Sequence, residues 1–85
     1  MKVMIKVTAD DIANGKRMDI YNCPVAKAIS RRLGQEVFAG TEEYVTVEGN
    51  RVYNLPEKAR GFIDSFDGCE DVSPFTFRLE IENEV

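Results

Sequence analysis

The sequence predicts an α+β fold: a small mixed or antiparallel sheet of about five strands, with two amphipathic helices on one face. Three observations predict it. Large apolar residues alternate with polar ones near both ends, at Val3, Ile5 and Val7 and again at Phe75, Phe77, Leu79 and Ile81, which is the period of a strand with one buried face. Two stretches between them carry apolar residues at helical spacing, Val25, Ile29 and Leu33 in one and Ala59, Phe62, Ile63 and Phe66 in the other. The order of elements, β, short α, α, β, β, β, α, β, lets two helices cover one sheet. Because the strands alternate rather than run continuously apolar, the other face of the sheet is expected to be wet. Eighty-five residues make a single α+β domain over 1–85. A domain of that size buries only about 60 to 65% of the surface its unfolded chain exposes, so most of its large apolar residues are needed for the core.

Residues 1–8 form the first predicted strand, with Lys2, Met4, Lys6 and Thr8 facing away from the apolar set. Thr8 and Asp11 stand three apart in a helix-start pattern, which predicts a short helix over 9–14 ending at Gly15. Residues 16–22 are a connector, read as extended. Cys23 and Pro24 open the first long helix: proline suits the first helical position, and the residue before it is pushed out of helical angles into the cap. Gly34 ends this helix. A short strand over 35–39 follows, then a turn at 40–43 and a hairpin of 44–48 with 51–55 around Gly49 and Asn50, two residues that tolerate positive φ. The second long helix starts near Pro56 and ends at Gly68; Asn54 and Glu57 are spaced as a capping box, but Leu55, standing before proline, resists helical angles and leaves the cap open. The last strand covers 74–82.

Composition excludes several functions. The charged fraction of 31% and apolar fraction of 44% are those of a folded soluble domain, and no apolar run approaches the length of a bilayer span. The start of the chain lacks the apolar centre and small-residue cleavage site of an export signal, so the expected location is a cytoplasm, with Cys23 and Cys69 as free thiols. A net charge of −4 argues against general nucleic-acid binding. With no histidine, the Ser-His-Asp and Cys-His constellations are gone, as is the commonest transition-metal ligand. Two isolated cysteines form no Cys-x-x-Cys site, and the six glycines are scattered singly instead of forming a phosphate loop. No cofactor, metal site or catalytic residue is predicted, and the chain reads as a non-enzyme.

What remains are candidate binding residues around the first long helix: Lys16, Arg17, Tyr21, Cys23, Lys27, Arg31 and Arg32. Cys23 is the sharpest chemical candidate, since a thiol at a helix N-terminus beside Lys16 and Arg17 can have a lowered pKa; the plainer reading is a small, partly buried cap. Lys27, Arg31 and Arg32 form a basic flank able to receive a phosphate or carboxylate, or else the solvated side of the helix with Lys27 and Arg31 paired to acids elsewhere. The acidic pairs Asp10 with Asp11, Glu42 with Glu43, Asp64 with Asp67 and Glu70 with Asp71 read as solvated surface, Asp64 and Asp67 being the polar side of the second helix. Tyr21, Tyr44 and Tyr53 are the aromatics expected to be partly exposed.

Four segments carry a resemblance: Val-Thr-Ala-Asp-Asp-Ile-Ala-Asn-Gly at 7–15, Cys-Pro-Val-Ala-Lys-Ala-Ile at 23–29, Leu-Pro-Glu-Lys-Ala-Arg-Gly-Phe-Ile-Asp-Ser-Phe-Asp at 55–67 and Ser-Pro-Phe-Thr-Phe-Arg-Leu at 73–79. In this order they resemble a group of small accessory proteins encoded by bacteriophages. The resemblance implies the cytoplasm of an infected bacterium and carries over no catalytic residues. From that setting follow two expectations. The first is a non-catalytic inhibitor of a host bacterial protein or defence system, contacting it through an exposed sheet edge and the basic flank. The second is a homo-oligomer that sequesters a small anionic ligand, a nucleotide signal, through Lys27, Arg31, Arg32 and a tyrosine.

Overall fold

The structure, a computed structural model, describes residues 2–40, 43–46 and 51–80. It is an α+β domain of five strands and three helices: β1 (Lys2–Val7), α1 (Ala9–Asn14), α2 (Pro24–Leu33), β2 (Val37–Ala39), β3 (Glu43–Thr46), β4 (Arg51–Asn54), α3 (Glu57–Asp67) and β5 (Phe75–Glu80). All pairings are antiparallel, but the strands divide into two sheets, β1–β5 and β2–β3–β4, where the sequence suggested one. Helix α2 packs on both β1 and β2 and so bridges the two ladders. Among the described residues β2 pairs with β3 alone, and its Ala39 N–H donates to the Ile20 carbonyl of the preceding loop at 2.8 Å.

The alternation at the two ends of the chain becomes one buried face. Val3, Ile5 and Val7 stand in register with Leu79, Phe77 and Phe75, and this face joins Val25, Ala28 and Ile29 of α2 and Ala59 and Ile63 of α3 in a single core. Phe62 stacks on Phe75 at 4.6 Å between centroids, which seats α3 against β5. On the other face Lys2, Met4, Lys6, Thr76 and Arg78 are exposed. The hairpin pairs Tyr44 with Tyr53, stacked at 5.1 Å; residues 47–50, which include the predicted turn residues Gly49 and Asn50, lie outside the described residues, as do Met1, Thr41, Glu42, Ile81 and Glu82 of the predicted elements.

Local chemistry explains the helix ends. Thr8 and Asp11 make the reciprocal capping box that their spacing predicts, the Asp11 N–H donating to the Thr8 hydroxyl at 3.1 Å and the Thr8 N–H to the Asp11 carboxylate at 2.9 Å. Gly34 ends α2 at φ +70, a left-handed position that suits glycine. Gly15 serves another need: a Cβ there would stand 2.7 Å from Pro24, so glycine lets α1 and α2 approach. Two predicted caps differ. Pro56, with no side-chain cap bond, precedes α3, because Leu55 before proline is held extended and Asn54 falls outside the helix. Gly68 does not take the left-handed position; Cys69 does, at φ +63, with its N–H donating to the Phe66 carbonyl and the Glu70 N–H to the Ser65 carbonyl at 2.9 Å.

Candidate interaction surface

The stretch 16–22 is neither extended nor a passive connector. It is a compact loop tied at both ends and in the middle. The Lys16 N–H donates to the Asn22 carbonyl at 2.9 Å and the Cys23 N–H to the Asp19 carbonyl at 3.0 Å. The Asp19 carboxylate accepts from the backbone N–H groups of Tyr21 and Asn22 and from the Asn22 amide, a side-chain turn for which a short acidic residue is well suited. These donors, the Asn22 amide foremost and the Tyr21 N–H next, hold the Asp19 carboxyl below its usual range. From α3, the Asp67 carboxylate accepts from the Met18 N–H at 2.9 Å, and the Phe66 carbonyl accepts from Arg17 Nε at 3.1 Å while the guanidinium lies 5.4 Å from the Phe66 ring centre. From β2 come the Ala39 contact and Phe38, whose ring sits 5.2 Å from that of Tyr21.

This scaffold presents apolar side chains outward. Of the five large apolar residues exposed among the described residues, three lie here: Met18 at 84%, Tyr21 at 52% and Ile20 at 44%. Met18 also has φ +56, a conformation that costs a side-chain-bearing residue about 1 kcal/mol. Beside them opens a shallow depression of about 220 Å³, floored by Cys23, Ala39 and Ile63 and rimmed by Asp19 and Asp67.

The seven predicted site residues do not converge on one place. Arg17 is committed to Phe66. Cys23 is buried; its Sγ accepts from the Ala26 N–H at 3.3 Å, and burial pushes the thiol pKa up despite the N–H donors at the helix start. The activated-thiol expectation therefore fails, and Cys23 is a cap and part of the core. Arg31 makes a two-pronged ion pair with Asp11 at 2.7 and 2.9 Å and also donates to the Lys6 carbonyl at 2.9 Å. Asp11, expected at the solvated surface, is 5% exposed, and burial alone would raise its pKa, but Arg31 and Thr8 outweigh that and leave it lowered. Asp67 likewise is half-buried and holds Met18, and Tyr44 is fully buried; its hydroxyl has no hydrogen-bond partner among the described residues, and its pKa is pushed up to about 12 mainly by burial.

Two further grooves divide the basic flank. Tyr21, Lys27 and Arg31 share one of about 420 Å³ with Asp10, Asp11 and Glu36, whose three carboxylates outnumber its two cations. Arg32 lies in another, with Lys6, Met4 and Arg31. Lys16 is exposed and lines neither groove. Among the described residues no cluster of three metal-ligand side chains forms, and no helix is long and apolar enough to cross a membrane.

Sequence reasoning missed Met18 and Ile20. Their signal was present: in Met18-Asp19-Ile20-Tyr21, three large apolar residues stand in a stretch with no periodicity to bury them. Compared with protein-family models, curated proteins and solved structures, the chain matches none.

Proposed function

We propose that this chain is a non-catalytic binding protein whose partner is another protein, gripped through the loop at 16–22. The observation that carries this reading is Met18, 84% exposed in a left-handed conformation with its N–H fixed by Asp67. Strain and exposure both cost stability, and such costs gather where a surface has work to do. A pre-tied loop also loses little entropy on docking, and Met18, Ile20 and Tyr21 would form the apolar centre of an interface whose rim includes Lys16, Asp19 and Asp67. The resemblance to phage accessory proteins supplies the setting: a host bacterial protein as target, a defence component first among them, in the host cytoplasm.

The nucleotide-capture reading has less support, because Arg31 is neutralised by Asp11 and Lys27 shares its groove with carboxylates. The test is affinity capture in a defence-carrying bacterium with the wild-type chain and with Met18→Gly plus Ile20→Ser. The wild type should retain a host protein that the variant loses, while the variant melts no lower, since glycine relieves the strain at position 18. Equal recovery by both chains, or none above a tag-only control, would end this reading.

A further inference from the structure

We propose a second, separate site: the wet face of the β1–β5 ribbon, with Arg32 of α2, receives an acidic polypeptide segment of a partner protein. The groove of about 350 Å³ between β1 and α2 is lined by Lys6, Arg31 and Arg32 around Met4 and Ala28, with no carboxylate in its wall. The register sets Arg78 beside Met4, so Met4, 44% exposed, has cations on either side of it. Lys2, about 13 Å from Lys6 along the strand, lies on the same face but stands in register with Glu80, so the cationic patch is the part around Met4. Among the described residues Lys6, Arg32 and Arg78 make no ion pair; the pair that forms is Arg31 with Asp11.

In a chain of net charge −4 this local excess decides what can bind. Charges farther off than about 8 Å are screened at physiological salt, so a docked ligand feels the patch and not the total. The geometry suits an extended segment with an apolar residue for Met4 and carboxylates to either side for Lys6, Arg32 and Arg78. Nucleic acid fits less well. Strand aromatics that would stack on bases are missing from this face, because Phe75 and Phe77 stand in register with Val7 and Ile5 on the core side. The cations are also fewer than the six to ten phosphate contacts (roughly) of a typical duplex binder.

The test is an NMR titration of the full chain with three probes: an end-blocked Asp-Glu-Leu-Glu-Asp peptide, its amide counterpart Asn-Gln-Leu-Gln-Asn, and an oligo-dT strand. The acidic peptide should shift the amides of Met4, Lys6, Arg32 and Arg78, and do so less as salt rises. Lys6→Gln with Arg32→Gln should weaken it about five- to tenfold, as expected for two rim ion pairs, and Arg78→Gln alone serves if that double variant melts early. Met18→Gly should leave it unchanged, so this site and the loop at 16–22 stand or fall separately. No shifts at millimolar acidic peptide, equal shifts from the amide peptide, stronger binding of oligo-dT, or full affinity in the charge-removal variants would each overturn the proposal.

Discussion

Removing the Asp11 side chain should be among the most damaging single changes outside the apolar core. Its carboxylate is buried and accepts from three donors, the Thr8 N–H and two guanidinium nitrogens of Arg31, while Arg31 reaches on to the Lys6 carbonyl. One side chain thereby ties α1 to α2, and through Arg31 to β1. In Asp11→Ala, loss of the cap costs about 1 kcal/mol. The ion pair adds less than a fully buried one would, because the Arg31 side chain is 53% exposed and can rehydrate; about 1 to 2 kcal/mol is reasonable. The sum, about 2 to 3 kcal/mol, is a large share of the stability of a small domain and corresponds to a Tm lower by roughly 10 to 20 °C. Urea unfolding of wild type, Asp11→Ala, Arg31→Ala and the double variant measures it, with a coupling of about 1 to 2 kcal/mol expected between the two sites. The pH dependence gives a second reading. The folded carboxyl titrates below its unfolded value, so its contribution is present above about pH 4 and lost as pH falls through the lower folded pKa. Asp11→Asn should flatten that acid slope. Single losses below about 0.5 kcal/mol, or strict additivity in the cycle, would refute the account.

Three other outcomes follow. Tyr44→Phe removes a buried hydroxyl that has no partner among the described residues and should stabilise the fold by about 1 kcal/mol in urea melts; since the Tyr44 pKa rises to about 12, wild-type stability should fall between about pH 10 and 12, and this alkaline loss should shrink in the variant. Iodoacetamide should modify exposed Cys69 in the native protein and buried Cys23 only on unfolding, read by mass spectrometry; rapid native labelling of Cys23 would contradict its burial. Cys69→Gly should raise stability by about 1 kcal/mol, because glycine adopts φ +63 without the Cβ clash that cysteine suffers there, and an unchanged midpoint would argue against the left-handed helix end.

Where sequence and structure agree, the signal was periodic and local. The strands around Ile5 and Phe77, the helix through Val25 and Ile29 and the Thr8–Asp11 cap each depend on spacing within a few residues, and all form as expected. The division into two sheets has no counterpart in spacing, and neither has the contact of the Ile20 carbonyl with Ala39 of β2, which comes from a loop with no pattern of its own. The candidate surface failed to show for the same reason. Asp67 and Met18 are 49 positions apart, so neither the tying of the loop nor the strain in it has a local signature. The basic flank was legible as charge but not as a site, since Arg31 and Arg32 are neighbours in sequence yet only Arg31 is directed onto Asp11.

Arg31 lines both the acid-rich groove and the basic one, and its pairing with Asp11 sets the difference between them. With the pair intact, the guanidinium is neutralised locally and the groove at Met4 draws its free charge from Lys6, Arg32 and the nearby Arg78. Asp11→Asn changes that balance by one charge while keeping an acceptor for the Thr8 N–H. The variant should therefore unfold more readily yet bind the acidic peptide more tightly, by about two- to fivefold if one released cation is worth the usual rim pair. A purely structural role for Asp11 predicts that stability and affinity fall together. Opposite signs in the two measurements would show that the pair which locks α1 to α2 also holds down the charge of the groove beside it.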